Sequence, residues 1–278
     1  MRQFQLAAFA DEAGDMLTQQ IAALQQNGVR YLEIRGVDGR NIADLSVDKA
    51  REIRERLEAA GLAVWSLGSP YGKSGIRDPF APALEAFCRG LELARILGTT
   101  HIRLFSFYIP WGEASAVYRD AVMERLNRFL EAAKGSGITL CHENEKGIYG
   151  DTAPRCAEIH RTLPAIRAVF DPANFIQCGQ EVLPAWEQLS GYVEYLHIKD
   201  ALPDGTVVPA GKGIGRIPEL LERYTGRVLT IEPHLTVFSG LEQLEQEGDR
   251  TAVPAHRYPS KQKAFEVAVS ALKGLLTD

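Results

Sequence analysis

The chain changes its hydrophobic period eight times, each time from strand-like alternation to helical spacing. FQLAAFA leads into DMLTQQIAALQQNG, VRYLEIRG into SVDKAREIRERLEAAG, and LAVWSLG into PFAPALEAFCRGLELARILG. The pattern continues with THIRLFSF and a helix from Ser115 to Lys134, ITLCHEN and a helix from Thr152, and AIRAVFD and a short helix near Leu183. YVEYLHIKD with a helix near Ile217, and VLTIEP with a helix over Lys261 to Leu276, complete it. Parallel strands need a long crossover between them, and an intervening helix supplies it. Several amphipathic stretches stop at a glycine, namely Gly28, Gly61, Gly98 and Gly137, where a helix ends most easily in the left-handed conformation. No G-x-G-x-x-G follows the first strand, so the eight units predict an α/β fold of the (β/α)8 TIM-barrel type rather than a doubly wound sheet. At 278 residues, with no linker or composition shift, one domain over residues 1–278 is expected.

Composition narrows the function classes. The 36 acidic and 31 basic residues leave a net charge of −5, which disfavours a nucleic-acid partner. Cys88, Cys141, Cys156 and Cys178 show no C-x-x-C spacing, so a reduced cytoplasmic chain is expected. No apolar run approaches the roughly 18 residues of a membrane span, and the N-terminus lacks the pattern of a signal peptide.

In such a barrel the site forms at the C-terminal ends of the strands. The longest loops there are 68–79, 108–114, 201–215 and 233–259, and the third contains AGKGIG, whose glycines allow close approach of a ligand or simply a flexible turn. Strand alternation then identifies the inward side chains. In YLHIKD, Leu196 and Ile198 face the helices while Tyr195, His197 and Lys199 face the lumen. By the same rule Cys141 and Glu143, Val169 and Asp171, and Thr230 and Glu232 point inward. Four successive strands therefore deliver Glu143, Asp171, His197 and Glu232 to one place. Three carboxylates in a partly dry pocket cost several kcal/mol per ion unless neutralised, and one divalent cation, Mn, Mg, Co or Zn, meets that need with three oxygens and one nitrogen. Glu145 also alternates inward; Glu143 is preferred because it ends the strand, with Asn144 or His142 as the group that orients it.

GVRYLEIRG, HENEKG, FDPANFIQCG, YLHIKDA and LTIEPHL together resemble the xylose isomerase-like TIM barrels, the sugar phosphate isomerase/epimerase superfamily. The resemblance implies that Glu143, Asp171, His197 and Glu232 take the metal-ligand positions. It also implies that Glu143 and Glu232 are the paired acid/base glutamates of an isomerase or epimerase acting on a small sugar or sugar derivative. Their separations of 28, 26 and 35 residues (143 to 171, 171 to 197, 197 to 232) each leave room for one helix. Removing a proton beside a carbonyl creates an enediolate, whose charge a divalent ion offsets, and a carboxylate on each face permits inversion. Asn174 stands where ketose 3-epimerases carry histidine, and the H-x-K-D form at His197 to Asp200 looks more like the dehydratase branch, so a lyase of the inosose or dehydroshikimate type is the alternative. A non-catalytic sugar-binding barrel is a further one, and a three-zinc repair endonuclease would need more than the six histidines present. Fold analogy alone suggests a homodimer.

Glu33, Arg35, Arg103, Asn174 and Lys199 complete the expected substrate-binding set, the arginines being suited to a hydroxyl, carboxylate or phosphate. Asp11 and Glu12 are read as a helix cap or as part of the site, and Trp65 and Trp111 as an apolar wall or core. His234 is a weak further candidate; His101, His160 and His256 are expected to be structural or at the surface.

Overall fold

A computed structural model describes residues 3–236 and 258–277. Eight parallel strands close into a barrel in the order β1-β8-β7-β6-β5-β4-β3-β2. They are β1 (Gln5–Ala8), β2 (Tyr31–Ile34), β3 (Ala63–Gly68), β4 (His101–Leu104), β5 (Thr139–Glu143), β6 (Arg167–Phe170), β7 (Val193–Ile198) and β8 (Val228–Ile231). Each corresponds to one of the apolar runs read from the sequence.

The helix over Val47–Ala59 shows why the amphipathic stretches fold as they do. The Ser46 hydroxyl accepts a bond from the Lys49 amide at its start. Ala50, Ile53 and Leu57 form the buried stripe, while Arg54 pairs with Glu58 and Lys49 and Arg56 pair with Glu52 on the solvent face. Gly98 ends the helix over Phe80–Leu97 at φ 73°, as its position suggested. The helix expected from Ser115 begins as a 3-10 turn over Ser115–Tyr118 and becomes α-helical over Arg119–Ala133. A further helix, Pro172–Gln177, lay unread in FDPANFIQCG, although Asp171 caps it and Pro172 occupies its first turn.

The strands divide the interior in two. Leu32, Ile102, Leu140, Phe170, Leu196, Leu229 and their neighbours pack outward against the helices. Ala7, Cys141, Val169, Tyr195 and Val228 form a separate apolar layer inside the barrel, with Tyr31 and Trp65 against it. That layer fills the lower lumen, and the ionisable groups Glu143, Asp171, His197 and Glu232 gather at the C-terminal ends of their strands. Trp65 belongs to this floor, stacked 4.2 Å from His101 and edge-on to Tyr195. No described helix is long and apolar enough to cross a membrane.

Candidate active site

Glu143 is the last residue of β5, Asp171 follows β6 directly, His197 lies near the end of β7, and Glu232 follows β8 directly. All four are buried, and one ligand atom from each lies within 4.8 Å of the others. Alternation along the strands thus placed all four on the lumenal side, as read from the sequence.

Each carboxylate is divided between anchoring and presentation. Glu143 takes Arg103 Nη1 on Oε2 at 2.7 Å, leaving Oε1 toward the centre, 3.0 Å from His197 Nδ1 and 3.2 Å from Asn174 Nδ2. Asp171 accepts the Asn174 amide on Oδ1 and turns Oδ2 inward. Glu232 takes Arg35 on Oε1 at 3.3 Å, and its Oε2 lies 3.5 Å from His197 Nδ1. His197 is arranged likewise: Nε2 meets Glu33 Oε2 at 3.2 Å, and the other oxygen of Glu33 accepts the Tyr195 hydroxyl at 2.8 Å. One atom per residue remains for the centre, and a carboxylate behind the imidazole is the usual way a ligating histidine is oriented.

Burial and charge oppose each other here. Burial pushes the Asp171 carboxyl up to about 7, although Lys199 and His197 pull it down. Burial would also raise Glu143, but His197 and Arg103 outweigh it and bring it to about 2. Burial would lower His197, yet Glu143 and Glu33 hold it well above the ordinary imidazole range. Lys199 Nζ sits 2.9 Å from Asp171 Oδ2 and 2.8 Å from Glu232 Oε2. Asp171 and His197 thus hold protons more tightly than usual, Glu143 stays ionised, and the Lys199 ammonium sits on Asp171 and Glu232. Three carboxylate oxygens and one imidazole nitrogen, each oriented from behind, fit a divalent cation such as Mn, Mg, Co or Zn.

Around this centre the arginines are tied to acids. Arg35 bridges Asp11 (2.8 and 3.1 Å), Glu12 (3.1 Å) and Glu232. Asp11 and Glu12 therefore hold Arg35 instead of capping the next helix; burial raises Glu12 to about 8. His234 lies 3.8 Å from Glu12 and from Glu232, at the edge of the same network. Glu145 turns to Lys73 at 2.9 Å and is not among the four clustered ligands. Lys73, which the sequence reading missed, is buried in the loop after β3, whose length was its only signal.

Asn144 does not orient Glu143 as expected: its side chain bonds the amide and the carbonyl of Asp171, each at 2.9 Å, while Arg103 and Asn174 hold the Glu143 carboxylate. Nor does His142. It faces the helices, bonded to Ser106 Oγ at 2.9 Å beside His160, because the residue before an inward Glu143 must point outward. His160 is buried and bonded to the Ile166 carbonyl, and His101 sits at the floor, both structural as expected. Trp111 is 98% exposed and forms no wall of the lumen. His256 and most of loop 233–259 lie outside the described residues.

The AGKGIG glycines approach a protein carboxylate and not an open ligand space. Asp200 is fully buried and accepts the amides of Ala201 and Gly215 on Oδ1 and those of Gly211 and Gly213 on Oδ2, at 2.7–3.0 Å. A Cβ at Gly213 or Gly215 would fall 2.4 or 2.6 Å from Oδ1. Asp200→Asn leaves one oxygen for four donors, so a loss of about 2–4 kcal/mol is expected in urea unfolding, with greater protease sensitivity of loop 201–215.

Comparison with known proteins agrees with this architecture. The family model for the xylose isomerase-like TIM barrel matches residues 21–237. Among solved structures, the barrel is similar to the probable 3-DHS dehydratase AsbF of Bacillus anthracis (TM-score 0.73, 16% identity, covering 98% of this chain and 99% of that one). It is also similar to the IOLI protein solved with a zinc atom (0.74, 15%, 98% of each chain). A third is D-psicose 3-epimerase of Clostridium cellulolyticum H10, solved with D-tagatose (0.70, 15%, 98% of each). At these identities the likeness is one of fold. No curated protein matches the chain in sequence. A model match over most of the chain, together with the closed parallel barrel, makes this protein a member of the xylose isomerase-like TIM barrel family.

Proposed function

We propose that the protein is a divalent-metal-dependent isomerase or epimerase of a small sugar or sugar derivative. The observation that carries this reading is the division of Glu143, Asp171, His197 and Glu232, each anchored by one atom and presenting another to a common centre. Zinc in one similar structure and an epimerase among the others support it. A bound cation would supply the positive charge that offsets an enediolate. The protein's own residues then handle the protons. Glu143 and Glu232 rise from strands that are not neighbours, β5 and β8, so their inward oxygens reach a substrate carbon from different sides. One removes the proton and the other returns it, which inverts the centre; return to the adjacent carbon gives an isomer. Arg103 and Arg35 fix the two glutamates at the rear, and Lys199 is placed to donate to a substrate oxygen.

Lys199 also favours one second reading. An ammonium 2.8 Å from Glu232 is placed to protonate a departing hydroxyl, which would make the enzyme a dehydratase like the probable one it resembles. The two are separated by incubating the Mn²⁺-loaded protein with a panel of sugars and sugar acids in deuterated water. Deuterium at a carbon position without loss of water is the expected result. Enone absorbance in the ultraviolet would transfer the assignment to the lyase, and no exchange with any member would count against both.

A further inference from the structure

Arg103 and Arg35 enter the lumen from β4 and from the end of β2, and they differ in one respect. A guanidinium offers a planar fork on the side where Nε and Nη2 lie together, and that edge matches the two oxygens of a carboxylate. In Arg35 the edge is filled: Nε meets Asp11 Oδ2 at 2.8 Å and Nη2 meets Asp11 Oδ1 at 3.1 Å. In Arg103 only Nη1 is engaged, with Glu143 Oε2 at 2.7 Å, while Nε and Nη2 are buried and have no hydrogen-bond partner among the described residues. Arg103 is 2% exposed, so leaving both donors unmet is costly.

That edge is packed among groups that offer it no acceptor. Phe105 lies 4.5 Å and Phe9 5.5 Å from the guanidinium carbon, and neither ring offers an acceptor in the plane of the fork. Gly68, at the end of β3, packs closely beside it and adds no side-chain acceptor; a Cβ there would stand 3.3 Å from Nη2 and 2.6 Å from Phe9 Cε1. Lys73 sits over the Phe105 ring at 4.4 Å with its charge balanced by Glu145, so it offers the fork no acceptor either. The acid that Arg103 does hold, Glu143, belongs to the catalytic centre, so a group on the free edge would lie next to the reacting atoms.

We propose that the Nε/Nη2 edge of Arg103 binds a carboxylate of the substrate, so that the natural substrate is a sugar acid or related hydroxycarboxylic acid and not a neutral sugar. This rests on the proposed function and narrows its substrate class. The unpaired fork serves as a specificity element: a neutral sugar leaves both donors unmet, whereas a carboxylate satisfies them together.

The test compares probes that share a skeleton and differ at one carbon. Binding of 2-keto-D-gluconate against D-fructose, and of D-glucuronate against D-glucose, is measured calorimetrically with the full chain, as purified and after Mn²⁺ loading. At least one acid is expected to bind ten times or more tightly than its neutral counterpart. Arg103→Lys, which keeps a charge opposite Glu143 but lacks the fork, should reduce that preference to about twofold or less by weakening the acid more than the neutral sugar. The wild-type comparison stands alone should the variant fold poorly. Equal affinity within both pairs, an undiminished preference in a folded variant, or no binding of either acid overturns the proposal. Deuterium exchange into a neutral sugar by protein that shows no acid preference would refute this inference and leave the proposed function standing. Failure to take up any of Mn²⁺, Mg²⁺, Co²⁺ and Zn²⁺ would refute the proposed function, while the metal-free binding data would still decide the role of Arg103.

Discussion

Glu143→Gln is expected to lower the rate of solvent deuterium exchange into substrate about 10³-fold, within the usual range for removing a positioned acid or base. Two losses coincide. The inward Oε1 stops accepting protons, and the outer Oε2, which neutralises Arg103 at 2.7 Å, loses its charge. A buried guanidinium without its counterion costs about 3–5 kcal/mol, so a lower thermal midpoint should accompany the loss of exchange. Glu143→Asp separates the effects. The charge remains, so stability should fall by less, but shortening the side chain withdraws the oxygen from the centre and exchange should still drop by roughly 10²-fold. Glu232→Gln should lower exchange by a similar factor but cost less stability, because Arg35 behind it keeps Asp11 and Glu12 as counterions. The double substitution should be little worse than either single one, since both glutamates serve one step. Exchange that persists undiminished in Glu143→Asp and Glu232→Gln would remove both glutamates from the mechanism.

Cation loading is expected to stabilise the protein, and increasingly so with pH. At a hundredfold excess over its dissociation constant, a ligand specific for the folded state contributes about 2.7 kcal/mol, or roughly 5–10 °C in thermal midpoint for a domain of this size. The sign of the pH dependence follows from Asp171. Its carboxyl is raised from 3.8 to about 7 when folded, so between those values the folded chain holds a proton that the unfolded chain has released. This group's contribution to metal-free stability is present at low pH and is lost as pH rises toward 7. The raised His197 adds to the same trend. A cation competes with those protons, so its apparent affinity should climb between pH 5 and 7, by about tenfold per unit for each proton displaced, and continue to rise above pH 7 while His197 still holds its proton. Differential scanning fluorimetry with and without Mn²⁺ at pH 5, 6, 7 and 8 measures this. A stabilisation that is equal at all four values would exclude displacement of protons from the ligand set.

The strands and the inward orientation of Glu143, Asp171, His197 and Glu232 were legible because both follow from a period of two, which is local information. The partners were not. Arg35 meets Glu232 across 197 residues, and Glu33 meets His197 and Tyr195 across 164 and 162. Such contacts depend on barrel closure, and alternation along one strand says nothing about which residue lies opposite. His142 was misread because proximity in sequence was taken for proximity in space, although neighbours on a strand face opposite ways. The helix over Pro172–Gln177 is too short for a periodic signal, yet Asp171 followed by proline is a start signal that could have found it.

Lys199 and Asp200 stand next to each other and face different tasks, one meeting the acids of the lumen and the other gathering the amides of the glycine loop. Transplanting residues 201–215 from another barrel would therefore disturb the ammonium as well as the rim unless the recipient aspartate and the spacing of the donor's glycines were kept together. For protein engineers, the smallest exchangeable unit on this side of the barrel begins at Lys199, directly after the strand, and not at the loop from residue 201.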